Sequence, residues 1–589
     1  MTLIWIANQL KMGGGGFVRE PDAPNKMNPQ IRLMRVACFS ILIVAAIPLH
    51  AATHAVAQRD PQATDDGPGT PDKPWRTLGK AVEQAGPGDV VLIRDGIYRE
   101  HLVFKTSGTA QQPVRFQAAA NAHVVLTGAD PLSGWRQLDG QKNIYAIAWP
   151  YRFIGWSKNM SHPDDEYHRL IGRCEQVEVD GYLLRQVLEA NQLAPGSYFA
   201  DVSNQVLQVW DAGNRDLNQV HVEASTRPEI CQVTGNYVQL NGFHFRLAAN
   251  MAQHGAVVLS GTHDLLEDCV VEDMNASGAT LAGEQLTVSR CTFRANGQLG
   301  FGANGAHQLL FTGCLVENNN TKGFARGWEA GGDKLVLCRD AILERSCFLR
   351  NRGSGIWFDI GNEHCTVRNC LIADNEDGGI FDEISFGLQA HDNVIAGNGF
   401  AETAGAWGAQ AGITLSSSPE SVIERNLIVG NREGFDFREQ TRTTPRIGHP
   451  QEVPVWNHDE MIRDNVIAFN RDAQVWGWFD MPDNRHWPAA KTPQHNLTLG
   501  DLRLQFVDNV YFGGSGPGLF EWGPTWGRHK SYPRLADFQT ELGIDAGGRV
   551  LEPVFLNSSA RDYRLERPLM DELHQAYPKG PIPGCVLRD

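Results

Sequence analysis

Two carboxylates 24 residues apart are the residues in this sequence best suited to chemistry. Asp359 ends the segment GIWFD and Glu383 ends GIFDE, so each acid follows a glycine by four positions. An aromatic residue, Trp357 or Phe381, stands two positions before each acid. Paired carboxylates can act as nucleophile and acid/base in the cleavage of a glycosidic bond, and aromatic rings offer flat apolar faces to a sugar ring. The pattern favours carbohydrate chemistry, provided that the two segments lie side by side.

An internal repeat predicts that they do. From about Cys231 to Asp480 the chain repeats a unit of the form (Cys/Asn)-x-apolar-x-x-Asn, followed by Gly-apolar. The glycines of this unit are Gly255, Gly278, Gly300, Gly323, Gly355, Gly379, Gly412 and Gly434. They recur every 22 to 24 residues, except for two intervals of 32 and 33 that we expect to hold insertions. Strands and turns that repeat at this period predict an all-β fold, a right-handed parallel β-helix of stacked coils.

Stacking fixes which side chains share a face. Equivalent residues of adjacent coils lie about 4.8 Å apart, and side chains alternate between the two faces of a strand. Counting from each glycine, positions one and three should face the core, and positions two and four should face outward. Position one reads Ala256, Ala279, Phe301, Phe324, Ile356, Ile380, Ile413 and Phe435. Position four reads Leu259, Ala282, Asn304, Gly327, Asp359, Glu383, Ser416 and Arg438.

This arrangement predicts carboxyl groups of Asp359 and Glu383 roughly 5–6 Å apart on one outward face. Retaining glycosidases hold their two carboxyl groups about 5–5.5 Å apart, whereas inverting enzymes need more room for a water. Two stacked like charges also raise one pKa, which keeps one acid protonated near neutral pH. The alternatives are a solvated acidic surface or a calcium site; we predict no required cofactor and no metal ligands, with calcium left open.

Other side chains are candidates for the same groove. Asp382 is a rival catalytic residue; at inward position three it should lie in a bulge, or be buried and hydrogen-bonded. Glu329 and Lys334 fall in the 32-residue interval and are candidate substrate contacts, Lys334 also being a possible lyase base or a surface residue. Arg438 would bind the sugar or neutralise the acids. Trp407, in the 33-residue interval, would stack on a sugar from a rim loop, as Trp357 and Phe381 would from the strands.

Cysteine and asparagine recur at fixed places in the repeat. We predict an interior stack formed by Cys269, Cys291, Cys314, Cys347 and Cys370 and continued by Asn393, Asn426 and Asn465. We predict a turn ladder formed by Asn296, Asn319, Asn375, Asn398, Asn431 and Asn470, since asparagine tolerates left-handed backbone. Buried thiols suit core packing, so the eleven cysteines indicate structure rather than disulfides or catalysis.

The remaining segments suggest a domain plan. Residues 58–128 form an N-terminal cap and first coils, with a short helix from Thr77 to Ala85. Residues 129–228 break the period with short alternating strands, which predicts an inserted small β-sandwich. Residues 229–505 are the repeat region, and residues 506–589 are C-terminal coils and a cap.

Residues 1–57 read as a signal peptide. Arg32 and Arg35 precede an apolar run from Val36 to Leu49, and small residues ending at Ala57 follow. Residues 1–26 would be an upstream extension. We therefore expect a secreted or periplasmic protein without stable membrane insertion. A net charge of −16 argues against a nucleic-acid partner, which requires basic patches.

The stretch from Trp328 to Ser385, which contains GSGIWFDIGNEHCTVRNCLIADNEDGGIFDEIS, resembles glycoside hydrolase family 120, the β-xylosidases. The resemblance implies that Asp359 is the nucleophile, Glu383 the acid/base, and Glu329 a nearby acid. Family 141 shares the plan with an inserted sandwich, and residues 66–128 resemble the N-terminal cap of pectin-lyase-like enzymes. The chain departs from family 120 at Ile360, where Trp is usual, and at Ser385-Phe386-Gly387, where a His is missing, so substrate identity does not transfer.

Three functions remain open at this point. The first is a retaining glycoside hydrolase acting on an oligo- or polysaccharide. The second is a polysaccharide lyase or uronate epimerase, because this fold hosts both chemistries, although two central acids would repel a uronate. The third is a non-catalytic carbohydrate-binding solenoid.

Overall fold

The computed structural model describes residues 51–153, 173–401, 410–440, 442–479, 496–513, 519–523, 530–553, 555–557 and 562–565. These residues form mainly short parallel strands, which make three sheets of thirteen strands each. Each coil adds one strand to every sheet, and equivalent residues pair between coils, as Trp357 does with Phe381. The predicted parallel β-helix is confirmed.

We number the sheets in the order in which a coil enters them. Sheet 1 contains Thr53–Val56, Val90–Ile93, Val114–Ala118, Val238–Asn241, Leu265–Glu267, Thr287–Ser289, Leu310–Thr312, Ile342–Glu344, Thr366–Arg368, Gln389–His391, Val422–Glu424, Met461–Arg463 and Gln505–Val507. Sheet 2 contains Gly96–Tyr98, Val124–Thr127, Phe243–Arg246, Val270–Glu272, Thr292–Arg294, Leu315–Glu317, Cys347–Leu349, Leu371–Ala373, Val394–Ala396, Leu427–Val429, Val466–Ala468, Val510–Phe512 and Arg549–Val550. Sheet 3 contains Leu102–Phe104, Cys231–Val233, Gly255–Leu259, Ser277–Leu281, Leu299–Asn304, Gly331–Val336, Ile356–Asp359, Ile380–Glu383, Ala411–Ser416, Glu433–Glu439, Ala473–Phe479, Phe520–Gly523 and Lys530–Tyr532.

A helix lies at each end of the apolar core. Helix α1 (Leu78–Gln84) begins after Thr77, whose hydroxyl accepts a hydrogen bond from the N–H of Lys80 at 3.2 Å. Helix α2 (Leu535–Leu542) buries Phe538, whose ring stacks on Phe520 with the centroids 4.1 Å apart. Both helices cover inward-facing side chains that have no further coil to pack against. Short 3-10 helices occupy Ala190–Gln192 and Gly500–Leu502.

Two small sheets interrupt the coils between Val124–Thr127 and Cys231–Val233. The four-stranded sheet contains Tyr182–Leu183, Val177–Val179, Val222–Ser225 and Ala129–Pro131. The five-stranded sheet contains Arg185–Gln186, Ser197–Asp201, Val206–Trp210, Ile144–Ala148 and Arg136–Gln137. They share an apolar cluster that includes Trp149, Tyr198 and Leu207, as expected of a sandwich. Strand pairs outside these sheets are Arg442–Arg446 with His449–Val455, and Phe555–Asn557 with Asp562–Leu565.

A ladder of asparagines runs along the turn between sheets 2 and 3. Its members are Asn296, Asn319, Asn351, Asn375, Asn398, Asn431 and Asn470. Each amide donates to the amide oxygen of the next, as Asn351 Nδ2 does to Asn375 Oδ1 at 2.9 Å. The expected reason was wrong, because left-handed backbone belongs to the preceding residue, such as Asp374 with φ 56°. Hydrogen bonding between coils explains the ladder instead.

The interior stack before the strands of sheet 2 differs from the prediction at one coil. Ser346, not Cys347, occupies the stack, since its hydroxyl accepts a hydrogen bond from the N–H of Cys314 at 3.1 Å. Cys347 lies one residue later, within the strand, and is half-buried. Asn393, Asn426 and Asn465 continue the stack, which ends on Asn509. The nine cysteines in the described residues are free thiols.

Two of the predicted repeat glycines, Gly323 and Gly255, are misaligned. The neighbour of Gly300 on the next coil is Gly332 rather than Gly323, and Asn304 pairs with Val336. The insertion therefore precedes Gly332, so Asp333 and Val336 replace Phe324 and Gly327 at positions one and four. At the first coil Leu259 pairs with Leu281, so Leu259 faces the core instead of position four.

The first strand, Thr53–Val56, corrects the boundary expected for the signal peptide. It pairs in parallel with Val90–Ile93, and Ala55, Val56 and Ala57 are buried. Cleavage after Ala57 would remove this strand, so a leader would have to end before it. The apolar run from Val36 to Leu49 lies outside the described residues. Within the described ranges, no helix is long and apolar enough to cross a membrane.

Candidate functional site

Asp359 and Glu383 occupy equivalent outward positions on neighbouring strands of sheet 3. Their predecessors Phe358 and Asp382 are paired in register, which places the two acids one strand apart, about 4.8 Å between backbones. Both side chains are almost buried, with 6% and 5% of their residue surfaces exposed. Position four continues along the sheet through Ser416, which pairs with Glu383, and Arg438, which pairs with Ser416.

Lys334 holds Asp359 by a short ion pair. The corrected register places Lys334 at outward position two, where its Nζ lies 2.8 Å from Asp359 Oδ2 and 3.4 Å from Glu329 Oε1. Burial lowers the pKa of Lys334, but the charges of Asp359 and Glu329 outweigh it and hold the pKa above its usual value. The ammonium is therefore charged at neutral pH and forms an ion pair with Asp359.

Glu383 also has a cationic partner, but its pKa is raised. Burial and the neighbouring charge of Asp359 raise the pKa of Glu383, while Arg442 acts to lower it. Nη1 of Arg442 donates a hydrogen bond to Glu383 Oε1. The site thus places a carboxyl group with a raised pKa, Glu383, beside a carboxylate that forms an ion pair with a lysine, Asp359.

Arg442 comes from a hairpin, Arg442–Arg446 paired with His449–Val455, that sequence reasoning missed. This hairpin lies in the connection that follows Glu433–Glu439 of sheet 3. Asn457 closes its base, donating from Nδ2 to the carbonyl of Arg438 at 2.6 Å and from N to Glu439 Oε2 at 2.7 Å. The insertion has no repeat period, so no pattern in the sequence assigned Arg442 a position.

The aromatic pair differs from the expected sugar-stacking platform. The rings of Trp357 and Phe381 stack on each other with centroids 5.5 Å apart, and Lys334 Nζ lies over the Trp357 ring, 4.1 Å from its centroid. Lys334 and Phe381, which occupy position two on the two adjacent strands, thus cover Trp357, which is 4% exposed. Trp357 therefore packs within the site and offers no open ring face to a sugar.

The other predicted residues fall in different places. Arg438 is 1% exposed and lies 5.9 Å from the Phe381 ring centroid and 5.4 Å from that of Trp478. Burial lowers the pKa of Arg438 to about 10, against the effects of Glu383 and Asp436. This placement fits the neutralisation of acids better than sugar binding. Trp407 lies outside the described residues.

Asp382 faces the core, as position three predicts. Its side chain is fully buried and accepts a hydrogen bond from the Ser421 hydroxyl at 3.4 Å. Burial raises the pKa of Asp382 to about 8, so the group is mostly neutral at pH 7. Because it points away from the face that carries Asp359 and Glu383, the structure separates Asp382 from the candidate site.

The turns after both acids are strained and hydrogen-bonded. Ile360 and Ile384, the next residues, have φ of 57° and 41°, a conformation that β-branched residues rarely adopt. The Asn362 amide donates to the Asp359 carbonyl at 2.8 Å, and the Ser385 hydroxyl donates to the Glu383 carbonyl at 3.0 Å. These bonds fix the backbone that directs the two carboxylates.

Several buried polar atoms around the acids have no hydrogen-bond partner among the described residues. They are Trp357 Nε1, Asp359 Oδ1, Thr414 Oγ1 and Ser416 Oγ. All four belong to outward positions two and four of Ile356–Asp359 and Ala411–Ser416, the two strands of sheet 3 that flank Ile380–Glu383. Buried polar groups are normally paired, so such a cluster is typical of a place where a polar ligand binds. In the sequence, following the position-two column from Trp357 and Phe381 to Thr414 would have indicated this polar cluster.

No group of three or more His, Cys, Asp or Glu side chains within the described ranges is arranged to hold a metal ion. Lys334 and Arg442 form ion pairs with the two acids in this structure.

Comparison with known proteins supports the architecture. A family profile described as "Right handed beta helix region" matches residues 218–383 and 255–428, and one described as "Chondroitinase B" matches residues 73–140. The protein is a right-handed parallel β-helix. The solved complex of XylC with xylose is 16% identical, with a TM-score of 0.60 over 85% of this chain and 86% of that one. That likeness shows the fold.

Two further similarities are more limited. An uncharacterised protein of Bacillus subtilis, YwoF, is 44% identical over 68 residues, and the match spans 12% of this chain and 14% of that relative. A mannuronic acid specific polysaccharide family 6 lyase from human gut microbiota is 11% identical, with a TM-score of 0.42 over 91% of this chain and 97% of that one.

Proposed function

We propose that the protein is a carbohydrate-active enzyme, a retaining glycoside hydrolase with Asp359 as nucleophile and Glu383 as acid/base. The observation that carries the proposal is the pairing of these two carboxylates one strand apart in different electrostatic environments. Lys334 forms an ion pair with Asp359, and burial raises the pKa of Glu383. A separation of one strand suits a retaining enzyme, whose carboxyl groups lie about 5–5.5 Å apart.

The roles follow from these states. Asp359 attacks the anomeric carbon while protonated Glu383 donates its proton to the leaving oxygen, so the glycosidic bond breaks and a glycosyl ester forms. Ionised Glu383 then takes a proton from water, which attacks the anomeric carbon and displaces Asp359. Each carboxyl group returns to its starting state. The sugar is released with the configuration it had in the substrate.

A lysine base is less consistent with the site. A lyase would need a neutral Lys334 to abstract a proton, whereas Asp359 and Glu329 hold the pKa of Lys334 above its usual value.

The substrate we propose is an oligo- or polysaccharide, and β-xylosides are the first to test. This choice rests on the resemblance of Trp328–Ser385 to the β-xylosidases of glycoside hydrolase family 120. The xylose in the solved XylC complex points the same way. We also propose that the protein is exported, on the strength of the charged and apolar segments before Thr53.

The test compares wild type with Glu383→Gln and Asp359→Asn on aryl glycosides and polysaccharides. We expect wild type to release sugar, and NMR to show the substrate's own anomer as the first product. Glu383→Gln should lose about 10²- to 10⁴-fold in kcat/KM on substrates with poor leaving groups, and less on activated aryl glycosides that need no proton. Unsaturated products that absorb in the ultraviolet would mean a lyase. Unchanged activity in both variants would exclude these residues from catalysis.

A further inference from the structure

A second cavity lies beside the proposed site, on the turns that follow the two acids. It has a volume of about 670 Å³ and is lined by Glu363, Arg446, Ile447, His449, Gln451 and Val453. Glu363 stands four residues after Asp359, and its bridge partner Phe386 stands three residues after Glu383. The floor of the cavity therefore belongs to the same two coils as the carboxylates, and the hairpin Arg442–Val455 supplies its wall.

Four contacts hold the hairpin against these turns. Arg446 Nε donates to Glu363 Oε1 at 2.7 Å, and its guanidinium lies over the Phe386 ring, 3.9 Å from the centroid. The N–H of Ile447 donates to the same carboxylate oxygen at 3.2 Å. Gly361 allows the carbonyl of Pro445 to approach so closely that a Cβ there would lie 2.2 Å from it. The cavity wall is a fixed part of the fold.

The hairpin also links the cavity to the acids. Arg442, which contacts Glu383, and Arg446, which lines the cavity, belong to one extended strand. Four residues of strand span roughly 13 Å. A ligand that reached from Glu383 along this strand would enter the cavity one or more sugar units away from the bond that is cut.

The chemistry of the lining fits an uncharged sugar. Arg446 pairs with Glu363, which also accepts a hydrogen bond from the N–H of Ile447. The lining of the cavity therefore has no unpaired carboxylate or guanidinium that would select a charged ligand. His449, Gln451 and Val453 alternate along one strand and share a face. An imidazole and an amide both donate and accept hydrogen bonds, as sugar hydroxyls do, and Ile447 and Val453 give apolar contact to the C–H face of a ring.

We propose that this cavity is a distal subsite that binds a neutral sugar unit of an oligosaccharide, so that the enzyme prefers chains to single-sugar glycosides. The proposal rests on the proposed hydrolase function and deepens it. His449 and Gln451 are the specificity-determining residues, and neither contacts the reacting bond.

The test uses the double variant His449→Ala, Gln451→Ala in the full chain. Glu452→Ala is the matched control, since Glu452 lies on the same strand but bonds to Thr443 within the hairpin. We expect kcat/KM to fall about tenfold on oligosaccharides that reach the cavity, because two hydrogen bonds are lost. Activity on aryl monoglycosides should not change, and Glu452→Ala should behave as wild type on both. An equal loss on both substrates, or no loss on either, would overturn the subsite.

A binding measurement separates this inference from the hydrolase proposal. In a Glu383→Gln background, calorimetry with the xylo-oligosaccharide series should show affinity rising with chain length, and the rise should vanish in the double variant. If wild type cleaves nothing while this length dependence holds, the hydrolase proposal fails and the subsite stands. If wild type cleaves glycosides but affinity is independent of length, the subsite alone fails.

Discussion

The asparagine ladder and the outward columns of sheet 3 are both stacks of equivalent residues, yet they satisfy their polar groups very differently. Asn375 uses its whole amide, accepting from Asn351 and donating to Asn398 and to the carbonyl of Phe348. On sheet 3, atoms of Asp359 and Ser416 are buried without a partner among the described residues. The ladder stabilises the fold, whereas the columns leave buried polar groups unsatisfied at the candidate site.

Removing a ladder amide should give the largest loss of stability. Asn375→Ala leaves several buried donors and acceptors unpaired, so the free energy of unfolding should fall by about 3–5 kcal/mol. Activity per folded molecule should stay near that of wild type. Urea unfolding checks this. Asn241→Ala, which removes a surface amide bonded to Glu267, is the control and should lose less than about 1 kcal/mol. A similar loss in both variants would contradict a special role for the ladder.

Removing Lys334 should affect catalysis more than folding. In Lys334→Met, Asp359 loses its ion-pair partner, so the carboxylate that we propose as nucleophile is free to change position. The value of kcat/KM on aryl glycosides should therefore fall by up to about 100-fold. Lys322→Met is the control, because the half-buried Lys322 contacts Gln186 rather than the site. Steady-state kinetics checks both variants, and an unchanged kcat/KM in Lys334→Met would mean that Lys334 does not position Asp359.

Asp382→Asn tests whether the inward face takes part in the chemistry. The pKa of Asp382 is raised to about 8 by burial, so its contribution to stability is full below the unfolded pKa near 4 and is lost as pH rises to 8. The asparagine variant should therefore show a flatter stability profile between pH 4 and 8, measured by thermal unfolding. It should keep most of its activity, whereas a loss as large as that of Glu383→Gln would restore Asp382 as a catalytic candidate.

The smallest expected effect is that of replacing the glycine on which the hairpin packs. Gly361 and Gly430 have φ of 66° and 63°, but only Gly361 faces a close backbone atom. Alanine at either position should cost about 1–2 kcal/mol through its left-handed backbone. Gly361→Ala should also displace the hairpin and Arg442, which would raise the pKa of Glu383 and move the basic limb of the activity profile to higher pH. Equal profiles for the two variants would show that the hairpin does not tune Glu383.

Periodicity explains what the sequence alone could predict. The repeat established the parallel β-helix and the shared outward face of Asp359 and Glu383, because stacked coils require equivalent residues to align. It failed at Gly323, since a glycine inside an insertion has the same appearance as one that opens a strand. The hairpin was missed because Arg442 reaches Glu383 from a segment with no period. The packing of Trp357 against Lys334 depended on the corrected register, so it could not be seen before the coils were aligned.

The closed base of the hairpin also has a consequence for how such an enzyme can diversify. Because Asn457 bonds directly to Arg438 and Glu439, residues 440–456 form a module whose two ends meet at one point of the coil. Segments of other lengths can be grafted between these ends while the coil continues unchanged. Substrate range can thus evolve, or be engineered, by exchange of one loop, provided that the new loop still places a cation beside Glu383 as Arg442 does.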